Sequence, residues 1–263
     1  MKMKLLVVAS IVLVHGGVAR AEIKTKEVTY QCKGVNLKGY VAWDDAVTGA
    51  RPGILVVHEW WGLNDYARKR AVDLAKLGYV AFACDMYGDG KTTQHPKEAQ
   101  QMATEVRGNI ETWRARAQAG LKILQEHEAV DAKRIAAIGY CFGGSTALQL
   151  AYAGADVSAV VSFHGALPVP DADQVKNIKA KILICHGALD SFIPEKTIQQ
   201  VRSAFDSGKV DYEMVYYGGA VHSFTVPDAD KHGIQGIAYN AAADRRSWGQ
   251  MQMLFREVFG KSR

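Results

Sequence analysis

Apolar and polar residues alternate over residues 28–32 and 35–43, on either side of Gly34. This is the period of two of half-buried strands, and it predicts an antiparallel hairpin. The pattern then changes character. Residues 53–58 ("GILVVH") are a short, unbroken apolar run of the kind buried on both faces inside a parallel sheet. Asn64 can cap a helix whose apolar positions Ala67, Ala71, Leu74, Ala75 and Leu77 share one face, and Gly78 ends it. A strand is expected at residues 79–84, then one long helix over roughly 95–127, a strand at 134–139 ("RIAAIG") and a helix at 143–153. The alternation repeats with strands at 157–163, 181–185 and 212–217 and helices near 194–205 and 237–259. In the last helix Trp248, Met251, Phe255, Val258 and Phe259 recur at helical spacing and read as core contacts. Strands alternating with helices after an opening hairpin predict an α/β protein, its mostly parallel sheet carrying helices on both faces.

The first 21 residues fall outside this pattern. Lys2 and Lys4, the apolar run 5–14 and the small-x-small end Ala19-Arg20-Ala21 describe a secretory signal, so the mature chain is expected to begin at Glu22 and residues 22–263 to form a single domain. The run is short for a membrane anchor, and an exported, bacterial periplasmic protein with no anchor after cleavage is expected. Loss of Lys2, Lys4 and Arg20 takes the formal charge from +5 to +2 (5 minus 3). Nothing in that balance points to nucleic acid. With 263 residues, 48% of them hydrophobic, the chain can build one sizeable core without disulfide staples. Its cysteines, Cys32, Cys84, Cys141 and Cys185, show no metal-site spacing, and whether any are bridged is left open by the sequence.

The segment "GYCFGG" (139–144) brings chemistry onto this frame. It has the glycine spacing of a nucleophile elbow, with cysteine at the central position. A strand ending at Gly139 and a helix opening at Gly143 would hold Cys141 at the carboxyl edge of the sheet, where the helix amino terminus favours thiolate. Glycine is required at both flanks because a side chain there would strike the neighbouring strand or helix. In this architecture an acid and then a histidine follow, each after a later strand. Asp190 in "ICHGALDSFIP" and His222 in "YYGGAVHSF" stand in that order. Taken singly, each has an ordinary reading: Cys141 as a buried turn cysteine, Asp190 as a capping or turn aspartate, His222 as a loop histidine. All three falling at the right strand ends favours a Cys-His-Asp triad.

The set "VVHEWWG", "DMYG", "GYCFGG", "HGALD" and "GGAVHSF", in this order over roughly residues 27–260, resembles the dienelactone hydrolase family, whose fold is the α/β-hydrolase fold. The resemblance implies an eight-stranded sheet and hydrolysis of a small-molecule lactone, ester or thioester through a thioacyl enzyme. It implies Cys141 as nucleophile, His222 as general base and then acid, Asp190 as the carboxylate that orients His222, and the backbone N–H groups of Trp60 and Phe142 as the oxyanion hole. It also implies that Glu59 lies beside the resting cysteine and controls its protonation. That offers a reason for a thiol to survive in an oxidising compartment, since a neighbouring carboxylate disfavours thiolate until substrate arrives.

The chain departs from the family at the arginines that hold a substrate carboxylate. The one after the catalytic histidine is Val226 here, and the helical region after "DMYG" offers Lys97. Little preference for carboxylate-bearing lactones is therefore expected, with Trp60 and Trp61 forming a broad aromatic rim to the substrate pocket. His58 and His164 flank the expected cleft and read either as lining it or, the favoured reading, as satisfied strand-end histidines. "HEWWG" lacks the second histidine of a zinc motif, so no metal is expected, and no cofactor is called for. Two further readings stand beside the hydrolase: a small-molecule-binding protein on the same fold, against which the intact triad argues, and a redox-active thiol protein, against which the lack of a resolving cysteine near Cys141 argues.

Overall fold

A computed structural model describes residues 22–260. The expected signal segment lies outside the described residues. Among the described residues no helix is long and apolar enough to cross a membrane.

The chain opens with β1 (Ile23–Cys32) and β2 (Val35–Asp44), an antiparallel hairpin turned by Lys33 and Gly34 at positive φ. It continues through β3 (Arg51–Val57), α1 (Asp65–Lys76), β4 (Val80–Cys84), α2 (Pro96–Arg107), α3 (Ile110–Gln125), β5 (Val130–Tyr140) and α4 (Phe142–Tyr152). Then come β6 (Ala159–Phe163), α5 (Ala172–Asn177), β7 (Lys181–Gly187), α6 (Glu195–Gly208), β8 (Tyr212–Tyr217), a 3-10 turn at Ala229–His232 and α7 (Ala241–Phe259). The eight strands form one sheet in the order β1-β2-β4-β3-β5-β6-β7-β8. From β4 to β8 every pairing is parallel.

The central strands are apolar on both faces because helices cover both. On β3, Leu55 and Val57 join a core with Trp113 of α3, Leu148 of α4 and Phe205 of α6, while Ile54 and Val56 face Leu74 of α1 and Phe255 of α7. Each fully buried leucine or phenylalanine contributes about 1.5–3 kcal/mol relative to exposure. Register aligns the strand ends: Val57 pairs with Cys84 and Gly139, Gly139 with Ser162, Phe163 with Cys185, and Gly187 with Tyr217. One edge of the sheet therefore collects the segments that leave β3, β5, β6, β7 and β8.

Three expectations need correction. The long helix over 95–127 is two helices, because Asn109 accepts the Thr112 N–H (2.9 Å) and starts a second one after Gly108. Here a strong N-cap outweighs continuous helical periodicity. A short helix unread in the pattern, α5, carries a capping box between Asp171 and Gln174. The last helix starts at its Asn240 cap rather than at Ile237. Ile237 instead forms a parallel bridge with His222, whose N–H and C=O bond Gly236 O and Ala238 N.

The "DMYG" segment organises a loop. The buried Asp85 carboxylate accepts the N–H groups of Lys38, Tyr87, Gly88 and Gly90 at 2.8–3.0 Å, which pins the loop after β4 to β2.

Candidate active site

At the end of β5 the chain turns so sharply that Cys141 takes φ 52°, ψ −111° before α4 begins. A Cβ on Gly139 would lie 2.0 Å from Gly143 O, and one on Gly143 would lie 2.1 Å from Val57 O. Both glycines are thus required by close backbone approach, and the turn packs directly against the end of β3. Cys141 is half-buried, and all four cysteines are free thiols.

Asp190 and His222 arrive on the loops after β7 and β8. The Asp190 carboxylate is completely buried; Oδ2 lies 2.8 Å from His222 Nδ1 and Oδ1 accepts the Phe192 N–H at 3.0 Å. His222 also hydrogen-bonds the Cys141 side chain. Burial opposes charge on this imidazole, but the Cys141 sulfur as thiolate and the Asp190 carboxylate outweigh it and push its pKa up to about 10. The sheet edge thus brings Cys141, His222 and Asp190 together in that order.

Two backbone N–H groups belong to this sheet edge, one on the elbow and one on the segment after β3 against which the elbow packs. That of Phe142, in the first turn of α4, has no carbonyl partner within its helix. That of Trp60 makes no backbone hydrogen bond among the described residues. Its orientation is set by His58, for which the sequence alone leaves both a cleft-lining and a satisfied reading open. The ring is indeed satisfied, with Nε2 accepting the Met86 N–H at 3.1 Å and Nδ1 donating to Glu59 O. Because the peptide is planar and trans, holding the Glu59 carbonyl fixes the Trp60 N–H in the opposite direction.

Glu59 is buried, and burial raises its carboxyl pKa, while His222, Ser223 and Trp61 act the other way. Ser223 Oγ donates to Oε1 at 2.9 Å, and the Trp61 side chain is a further partner. Among the described residues no hydrogen bond links this carboxylate to the thiol. Beneath it lies His164, fully buried, its ring 5.4 Å from that of His222. Cys141, His164 and Ser223 all have positive φ without being glycine. Such strain concentrates where structure is held for function.

The rim differs from its expected form. Trp61 is buried, stacked on His232 with ring centroids 4.1 Å apart, and it borders a polar groove of about 1200 Å³. Trp60 is half-buried beside it. Lys97 is exposed on α2 and lines neither this groove nor the cavity next to the cluster. That cavity, about 270 Å³, is lined by apolar residues including Trp113, Leu167, Phe192 and Ile193, and Phe192 also packs 5.2 Å from the His222 ring. Its cation is Arg107, at the other end of α2, with its guanidinium 5.1 Å from the centre of the Phe142 ring. The sequence points instead to Lys97, one helix-length away, because both ends of α2 carry basic residues and only packing distinguishes them. Val226 packs with Ala229 and Ile237 in a small apolar cluster bordering the polar groove.

The pattern describing the dienelactone hydrolase family matches residues 37–259. The chain belongs to that family. A dienelactone hydrolase-like promiscuous phosphotriesterase from metagenomic libraries superposes with a TM-score of 0.88 at 41% identity, covering 91% of this chain and 99% of that one. The dienelactone hydrolase-like structure from Klebsiella pneumoniae gives 0.73 at 25% identity, covering 90% and 99%. A probable 2-oxo-3-(5-oxofuran-2-ylidene)propanoate lactonase of Bradyrhizobium is 29% identical over 220 residues, 80% of this chain and 85% of that protein. As a member of the dienelactone hydrolase family with the α/β-hydrolase fold, the protein is a hydrolase.

Proposed function

We propose that this family member hydrolyses small esters or lactones through a thioacyl intermediate on Cys141. The observation that carries the reading is the line Cys141–His222–Asp190, with a 2.8 Å contact between a buried carboxylate and the imidazole. In the proposed cycle His222 takes the thiol proton, and the sulfur attacks the carbonyl carbon. The resulting oxyanion is received by the N–H groups of Phe142 and Trp60. The imidazolium then protonates the departing alcohol oxygen, leaving the acyl group on sulfur. Neutral His222 next removes a proton from water, which attacks the thioester, and the acid leaves as the thiol is restored. Asp190 keeps the His222 proton on Nδ1, so that Nε2 faces the sulfur. Glu59, at the same sheet edge, adds negative charge that restrains the resting thiolate.

The apolar cavity suits an acyl or alcohol group of a few carbons, and Arg107 at its wall suits an acidic substituent. This revises the expectation drawn from Val226 and Lys97. The 41% identity to a promiscuous phosphotriesterase supports neutral aryl phosphotriesters as a second substrate class.

Incubation with p-nitrophenyl acetate followed by intact-mass and peptide mapping should find an acetyl group on Cys141. Turnover that survives Cys141→Ala would overturn the nucleophile assignment, and binding without turnover would favour a binding protein. We further propose that residues 1–21 are a cleaved export signal preceding a single domain. The intact mass of natively expressed protein should then begin at Glu22, and a mass retaining Met1 would refute this.

A further inference from the structure

A chain of buried polar groups runs from α1 to Glu59, and its direction can be worked out from its chemistry. Arg70 lies in α1, buried, with its guanidinium against Asp244 of α7 and 5.0 Å from the centre of the Trp248 ring. Its Nε donates to Tyr66 Oη at 3.1 Å. A guanidinium carries only donors and does not deprotonate in proteins. Tyr66 therefore accepts from Arg70, and its own proton goes to its other partner, Thr225 Oγ1, 2.6 Å away. Thr225 is fully buried, and among the described residues its hydroxyl has one further contact, His164 Nε2 at 2.7 Å. If His164 donated there, the Thr225 proton would be left without a protein acceptor at a fully buried position, which is the costly arrangement. Thr225 therefore donates to Nε2. A neutral imidazole that accepts at Nε2 carries its proton on Nδ1. Among the described residues Nδ1 has no hydrogen-bond partner, and Glu59 Oε1 lies 3.8 Å from it.

We propose that His164 is a positioning residue for Glu59, held by the Arg70–Tyr66–Thr225 chain in the tautomer whose Nδ1–H faces the Glu59 carboxylate. Ser223 Oγ bonds the same oxygen, so a shift of the carboxylate of under an ångström or so exchanges or shares these two donors. The chain does not conduct protons, since Arg70 at its far end has none to release. It acts as a fixed polariser that presents a donor to Glu59. The left-handed backbone of His164 (φ 39°), held by its N–H to Cys185 O at 2.8 Å, aims the ring into this place. The kinetic part of the proposal rests on the role of Glu59 at the Cys141 site; the tautomer does not.

The test uses full-length protein labelled with 15N-histidine, the His164 signals being assigned by their loss in His164→Asn. Long-range proton–nitrogen correlation should show a protonated Nδ1 and a bare Nε2 in the wild type. In Thr225→Val the two nitrogen shifts should move toward each other, and in Thr225→Ser they should stay as in the wild type. A proton on Nε2 in the wild type, or unchanged shifts in Thr225→Val, would overturn the proposal. With p-nitrophenyl acetate, His164→Leu should lower kcat about five- to tenfold with KM nearly constant, the effect of one ordinary hydrogen bond. His164→Asn, whose amide nitrogen takes the place of Nδ1, should restore most of that loss. Equal kcat for His164→Leu and wild type would remove the positioning role. Failure of the Cys141 reading is seen separately, as turnover in Cys141→Ala, and leaves the tautomer result standing.

Discussion

Replacing Asp190 with asparagine keeps shape and removes one acceptor, and the geometry decides which one. The carboxylate accepts twice, from His222 Nδ1–H at Oδ2 and from Phe192 N–H at Oδ1. An amide has one oxygen, so in either orientation its NH2 group faces a donor. With the oxygen toward His222, the amide opposes the fixed Phe192 N–H. With the oxygen toward Phe192, His222 relieves the conflict by moving its proton to Nε2, which disables it as a base toward Cys141. The second orientation is favoured by the cost of an unpaired backbone donor, about 1 kcal/mol because Phe192 is partly exposed. The loss of a charged acceptor adds about 1.5–3 kcal/mol. The sum, about 2.5–4 kcal/mol, corresponds to a fall in kcat/KM of roughly 10²- to 10³-fold at 1.36 kcal/mol per decade. The same lost charge should lower the His222 pKa from about 10. Its folded value lies above the unfolded one, so His222 contributes stability that is complete below about pH 6.5 and is lost as pH rises through 10. In Asp190→Asn that loss should set in at lower pH. Ester hydrolysis and an NMR titration of His222 measure both effects. A loss under tenfold, with His222 still titrating near 10, would refute the reasoning.

Gly143→Ala should drive a Cβ to within 2.1 Å of Val57 O and 2.7 Å of His58 O, separating the two N–H groups of the proposed oxyanion hole. Thermal denaturation should show a loss of at least about 2–3 kcal/mol, and a wild-type Tm would argue against the close packing of the elbow. Glu59→Gln should make Cys141 react faster with iodoacetamide near neutral pH, because a like charge near the thiolate is removed. An unchanged or slower rate would show that the carboxylate acts on His222 alone. Arg107→Gln should lower kcat/KM for a carboxylated aryl ester about two- to fivefold relative to its neutral analogue, as expected for one exposed charge pair. Equal effects on both esters would detach Arg107 from substrate recognition.

Much of the site was legible in the sequence because its requirements are local. "GYCFGG" is constrained by atoms within a few residues and by one neighbouring strand, so its glycines declare the elbow. Asp190 and His222 follow from strands whose β-periodicity is plain, and parallel register then levels their ends. The hairpin, the cap at Asn64 and the strand at 212–217 rest on similarly short-range rules. What the chain left unsaid depends on partners distant along it. Ser223 and Glu59 are 164 residues apart, and Tyr66 and Thr225 are 159 apart. No periodicity encodes such pairs. His58 and His164 look alike in sequence, yet one has both nitrogens bonded and the other leaves Nδ1 facing a carboxylate. Lys97 and Arg107 are both basic residues of one helix, and only the packing of α2 against Phe142 and Trp113 selects the second. Secondary structure and the elbow were set by local sterics and hydrophobic period. Polar partners and charge placement were decided by tertiary structure, because a buried donor or cation takes its meaning from whatever the fold brings within about 3–4 Å of it.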